Sequence, residues 1–140
     1  MTTKGNNYTL TEIGSFNKLL NKDYTGFVGK YFAGKDLGLT GCEVSLNCLQ
    51  TGTATPFVHA HKKNEEVYIF TGGSGTFFID GAEFPVQEGS LIRVAPNGER
   101  ACKAGNEDLY FICIQVQAGS LTQATREDGI VLGTKPSWMK

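Results

Sequence analysis

Between Gly52 and Gly75 the chain reads Gly-Thr-Ala-Thr-Pro-Phe-Val-His-Ala-His-Lys-Lys-Asn-Glu-Glu-Val-Tyr-Ile-Phe-Thr-Gly-Gly-Ser-Gly, and no other stretch constrains the fold as much. His59 and His61 are the only two histidines in the chain, with one residue between them. On a β-strand, residues two apart point to the same side of the sheet. Both imidazoles therefore face one way, into a core or a cavity. Pro56 before them and Lys62-Lys63-Asn64 after them mark the ends of a short strand. The chain then turns into Glu66-Val-Tyr-Ile-Phe, a β-branched and aromatic strand that opens on a carboxylate. Two imidazoles and a carboxylate brought together from adjacent strands form a facial ligand set with open positions for a divalent first-row metal.

The remaining chain supports an all-β reading. Eighteen glycines are scattered through 140 residues, which suits many tight turns between short strands. The length is that of one domain with a real core. Tyr8–Leu10 reads as a short strand, Ser15–Leu20 as a helical turn, Phe27–Phe32 as a strand and Gly34–Asp36 as a turn. Residues 1–7 are expected to be loosely attached. Glu43–Leu49 alternates, with Val44, Leu46 and Cys48 on one face and Glu43, Ser45 and Asn47 on the other, the period of a half-buried strand. Asp80-Gly81 between two apolar runs signals a hairpin with a two-residue type I′ turn. Pro85 puts its strand at an edge or a bulge. Leu109–Val116 is the most hydrophobic strand. Short strands with turns every eight to twelve residues, and no long helix, describe a sandwich or barrel.

Charge and cysteine usage narrow the partners. The formal net charge is −1, with no basic block, so nucleic acid is not an expected partner. No apolar run approaches the roughly twenty residues of a membrane span, and the N-terminus lacks the apolar stretch of a signal peptide. The expected compartment is the cytoplasm. Cys42 and Cys48 on one strand would be roughly 20 Å apart, well beyond the roughly 7 Å that a disulfide spans between Cα atoms. The four cysteines are read as free thiols.

The His59-x-His61 spacing, with four residues to Glu66 and six more to Gly73, resembles the first motif of the cupin superfamily. Gly52 stands six residues before His59, where the family pattern has five. Glu65, with Gly72, is the competing carboxylate; Glu66 is preferred because it directly opens the hydrophobic strand. The resemblance covers roughly Gly41 to Gln117 and implies a small single-domain cupin of the conserved-barrel type. The fold it implies is all-β, a double-stranded β-helix or jelly-roll barrel, with residues 41–117 as the barrel. Residues 1–40 are expected to pack strands and a helical turn on it. Residues 118–140 form a C-terminal extension, including the strand-like Gly129–Gly133, that serves as a subunit contact or barrel cover. The resemblance implies a homodimer, with Trp138 as an anchor.

The second cupin motif departs from the pattern. Pro96-x-Gly98 is present, but the fourth ligand's slot holds Ala101 when counted from Pro96 and Arg100 when counted from Gly89. Neither replaces histidine, since alanine has no donor and guanidinium is a permanent cation. The site could bind metal through His59, His61 and Glu66 alone. Cys102, Cys113 or Gln115 could fill the gap, or metal binding could be lost. Arg100 is either a solvated surface arginine or, at a cavity mouth, a clamp for a substrate carboxylate or phosphate. Tyr68, Cys102 and Gln115 are the other candidate substrate contacts.

Two function classes stay open. One is a metal-dependent dioxygenase or isomerase of a small polar or acidic molecule, using iron, manganese, nickel or zinc. The other is a non-catalytic cupin, a sensor or binding module, that holds a small ligand without full metal coordination. The fold does not choose between them.

Overall fold

The computed structural model describes residues 2–21, 28–123 and 125–139. In chain order they form β1 (Thr2–Lys4), β2 (Thr9–Thr11), a 3₁₀ helix (Phe16–Asn21), β3 (Lys30–Phe32), α1 (Gly34–Leu37), β4 (Glu43–Leu49), β5 (Asn64–Gly72), β6 (Ser74–Ile79), β7 (Ala82–Gln87), β8 (Leu91–Val94), β9 (Arg100–Ala104), β10 (Leu109–Gln117) and α2 (Thr125–Asp128). Five strands form one sheet in the order β3-β4-β10-β5-β8, and three form another in the order β7-β6-β9. All neighbouring strands are antiparallel.

The two sheets share one apolar core. Phe70 and Phe77, from different sheets, are fully buried and meet edge to face at 6.2 Å between ring centroids. Tyr68 meets Phe77 in the same way at 5.0 Å, and Phe111 tilts against Phe70 at 5.4 Å. Burying each such side chain stabilises the fold by about 1.5–3 kcal/mol. A second cluster, Leu19, Tyr31, Ala33 and Cys48, lies under the 3₁₀ helix. The helix turn therefore covers β3 and β4 from outside the barrel.

Turn chemistry agrees with the sequence where the backbone demands it. Asp80 and Gly81 both have positive φ, 47° and 85°, and close the β6–β7 hairpin. Pro85 lies in β7, an edge strand. Gly73 links β5 to β6, carrying the chain from one sheet to the other with φ 77°, and a Cβ there would stand 1.8 Å from the Asp108 carbonyl oxygen. The six-residue gap after Glu66 thus ends on a position that only glycine fills without strain.

Several expectations are corrected. The histidine segment forms no ladder strand. It lies as an extended arm beside β9, with single bridges Ala54↔Lys103 and His59↔Arg100. Pro56 brings no N–H to that edge, so pairing breaks between the two bridges. Both faces of β4 are covered. Val44, Leu46 and Cys48 pack outward against the 3₁₀-helix cluster, and Ser45 and Asn47 are buried inside the barrel. Alternation located the two faces, and a cavity explains why the polar one points in. Gly34–Asp36 is the start of the single helical turn α1, stopped by Gly38 at φ 69°. Residues 2–4 pair with 9–11 as a hairpin. The strand expected from Phe27 spans Lys30–Phe32; Phe27 itself lies outside the described residues. Gly129–Gly133 is not a strand: among the described residues no strand pairs with it, and Ile130, Val131 and Leu132 are exposed. Trp138 is likewise 77% exposed.

Candidate functional site

Antiparallel register builds the site's floor. Glu43, Gln115 and Glu66 are opposed across β4, β10 and β5, and so are Ser45, Cys113 and Tyr68 one inward position along. Directly opposed residues share a face. These six side chains form a grid on the inner wall of a cavity of about 550 Å³. Cys102 and Phe111 also line it, as do His59 and His61 from the arm beside β9.

The carboxylate of Glu66 is the point on which the polar groups converge. Its Oε1 lies 3.6 Å from His61 Nε2 and 3.8 Å from His59 Nε2. The same oxygen accepts hydrogen bonds from Tyr68 Oη at 3.2 Å, from Arg100 Nε at 3.2 Å and from Arg100 Nη2. Its Oε2 accepts from Cys113 Sγ at 3.2 Å. Burial opposes ionisation of Glu66, but the nearby His59 imidazole, the hydrogen bonds from Arg100 and Cys113 and the guanidinium charge outweigh it and hold the carboxyl well below the usual range. His61 moves the other way. Burial, with Arg100 and His59 nearby, lowers its pKa despite the pull of Glu66, which favours a neutral imidazole. Burial pushes the Cys102 thiol up to about 12 and the Cys113 thiol higher still, so neither offers a thiolate at neutral pH.

His59, His61 and Glu66 form a group that could hold a metal ion, with one ligand atom from each lying within 4.8 Å of the others. Donor types and spacing fit a divalent cation. Arg100 works against one, because its charge is already bonded to the shared oxygen.

Arg100 is fully buried, so the solvated-surface alternative is overturned. Besides Glu66 it donates from Nη1 to the Gly98 carbonyl at 2.8 Å. It sits behind the carboxylate rather than at the cavity mouth. The cause is the β9 register: Arg100, Cys102 and Ala104 all point into the core. Glu65, the competing carboxylate, takes the opposite face of β5 and pairs with Arg93 at 2.7 Å. Gln115 accepts a hydrogen bond from Asn64 at 2.7 Å.

Lys30 belongs to the cavity wall and was not singled out from sequence. Its signal was there in retrospect: a lone cation in an apolar strand, spaced two residues from Phe32, which also lines the cavity.

An eight-stranded pair of antiparallel sheets enclosing a cavity, with a His-x-His and glutamate group at one end, defines the class of the protein: it is a cupin. The profile of the AraC-like ligand-binding domain matches residues 48–138, and the chain belongs to that family. It is similar to a cupin protein from Bacteroides fragilis, at 38% identity over 91% of this chain and 99% of that one, with a TM-score of 0.78. A Cupin 2 conserved barrel domain protein from Salinispora arenicola shares the fold at 20% identity, covering 56% of this chain and 66% of that one with a TM-score of 0.51. A protein from Photorhabdus luminescens does so at 21% identity, 64% and 74% coverage and a TM-score of 0.57. No curated protein matches the sequence. No helix among the described residues is long and apolar enough to cross a membrane.

Proposed function

We propose that the protein binds a small organic molecule inside the barrel, with the apolar walls holding its body and the His59–His61–Glu66 end orienting its polar group. One observation carries this reading. Glu66, the carboxylate beside both imidazoles, already has its Oε1 occupied by Arg100 and Tyr68. The guanidinium supplies beside Glu66 the positive charge that a metal would otherwise supply. The imidazoles are left to donate to or accept from a ligand. A volume of about 550 Å³ lies within the range of small-molecule pockets, and the family takes its name from ligand binding.

Tyr68 contributes to this site by orienting Glu66 rather than by ionising, since burial pushes its phenol pKa up. Cys102 and Gln115 are wall contacts for the ligand. Arg100 acts on the ligand through Glu66.

The test is a thermal-shift and calorimetric screen with small aromatic and aliphatic probes. Wild type is compared with Ala54→Trp, which places an indole over the cavity from an exposed lining position. Saturable binding lost in the variant supports the reading. Equal binding by both variants, or none by wild type, overturns it.

The spacing of His59, His61 and Glu66 favours a second reading, in which these residues hold iron, manganese, nickel or zinc. When bound, such an ion supplies Lewis acidity or redox chemistry suited to an isomerase or an oxygenase of a small polar or acidic substrate. Elemental analysis after loading with each metal tests it. Near-stoichiometric metal that His59→Ala/His61→Ala loses supports the reading, and wild type without metal under every loading removes it.

A homodimer and a cytoplasmic setting complete the proposal. The exposed apolar residues Ile130, Val131, Leu132 and Trp138 supply the dimer contact.

A further inference from the structure

We infer that Lys30 is the anion-binding group of this cavity and that the ligand is a small carboxylic acid with an apolar body. The inference rests on the ligand-binding reading above and adds the chemical class.

The β3–β4 register sets Lys30 directly opposite Asn47, on the inner face. Asn47 is oriented by its own neighbours. Its Nδ2 donates to Ser45 Oγ at 3.0 Å and to the Phe111 carbonyl at 3.4 Å. A carbonyl only accepts, so the NH₂ end must face Phe111 and the oxygen must face Lys30. Lys30 Nζ accordingly donates to Asn47 Oδ1 at 2.8 Å. An ammonium group has three donors, and this bond uses one.

Among the described residues Lys30 has no ion-pair partner, and the Glu66 charge acts on it only from a distance. Glu66 is matched by the buried Arg100. Glu43, the other acidic group on the wall, turns its Oε1 to the Gly34 and Val44 amides, at 2.8 and 3.0 Å. The ammonium also lies 5.2 Å from the centre of the Phe32 ring, and burial depresses its pKa. A cation in such a place pays for lost hydration until an anion joins it.

A single ammonium matches a monoanion. A carboxylate at Lys30 places an attached apolar body against Phe111, the residue paired across from Asn47. The far end of the molecule then extends toward His59 and His61. The cavity thus has a cationic end on β3 and an imidazole end on the arm, with apolar wall between them.

The experiment measures binding by calorimetry for phenylacetate, hexanoate, their neutral amides phenylacetamide and hexanamide, and phenyl phosphate. Wild type is compared with Lys30→Met and Lys30→Arg. The carboxylates are expected to bind wild type more tightly than the amides. Lys30→Met is expected to weaken carboxylate binding about tenfold or more, the loss of one charge-assisted hydrogen bond. Amide binding stays in the same variant, which also shows that it is folded, and Lys30→Arg retains part of the preference for anions. Carboxylates that bind no better than amides, or equally well to Lys30→Met, overturn the role of Lys30 and leave the pocket standing. Phenyl phosphate binding above both carboxylates overturns the assignment to a carboxylic acid. If no probe of any charge binds, the pocket reading falls with it.

Discussion

Arg100 and Glu66, 34 residues apart in sequence, are joined inside the barrel by two hydrogen bonds from one guanidinium to one carboxylate oxygen. Counted from Gly89, Arg100 holds the place where the second cupin motif carries its fourth ligand. On that count, which gives way to Ala101 when made from Pro96, a permanent cation stands where the resemblance implies a metal-ligating imidazole, bonded to the carboxylate of the first motif. The two motifs remain coupled, through an ion pair.

Replacing Arg100 by Met leaves Glu66 buried without its main partner. Breaking a buried pair in this way costs about 3–5 kcal/mol. Chemical denaturation should show a loss of that size, and added zinc or manganese should restore part of it by binding the freed oxygen beside His59 and His61. A loss below about 1 kcal/mol, the scale of an exposed pair, would place the guanidinium in solvent instead.

The Glu66 carboxyl has a depressed pKa in the folded protein. Its stabilising contribution is fully present above the unfolded value of about 4.3 and is lost as pH falls through the much lower folded value. Wild type should lose stability between about pH 5 and strongly acidic pH, and Glu66→Gln should show a flatter profile across that window. Urea unfolding at several pH values measures both slopes. Parallel profiles would mean that Glu66 does not carry the shift.

Gly73→Ala forces a side chain into positive φ and against the Asp108 carbonyl. The expected cost is about 1–3 kcal/mol or more, visible as a lower Tm. Gly81→Ala makes a useful control, since a Cβ at Gly81 meets nothing within 4 Å and its cost comes from φ alone. Gly73→Ala should be the more damaging of the two.

Removing residues 126–140 takes away Ile130, Val131, Leu132 and Trp138, which are exposed in the single chain. Size-exclusion chromatography with light scattering should find the full chain dimeric and the truncated chain monomeric. A full chain that is monomeric at micromolar concentration removes the proposed role of the tail.

The strands could be read because alternation and turn residues act locally. Glu43–Leu49 and the Asp80-Gly81 hairpin lie where the sequence puts them. The grouping of His59, His61 and Glu66 followed from spacing, which reports side-chain direction. Arg100 and Lys30 escaped that logic. The burial of each depends on which strand lies opposite, and pairing across 34 residues, or with Asn47 on the next strand, leaves no local signature. The polar face of β4 misled for a related reason, since alternation separates two faces without saying which one looks into a cavity.

The polar end of the cavity is anchored unequally. Glu66 rides on β5, laddered between β10 and β8, whereas His59 and His61 ride on an arm held to β9 by isolated bridges and scattered backbone hydrogen bonds, with the Asn97 amide on the His61 carbonyl at 2.7 Å. In amide hydrogen exchange the His59 N–H should open well before those of Val67 or Ile69, in a local event that leaves the barrel folded. Such an opening would carry the two imidazoles away from a carboxylate that stays on its strand.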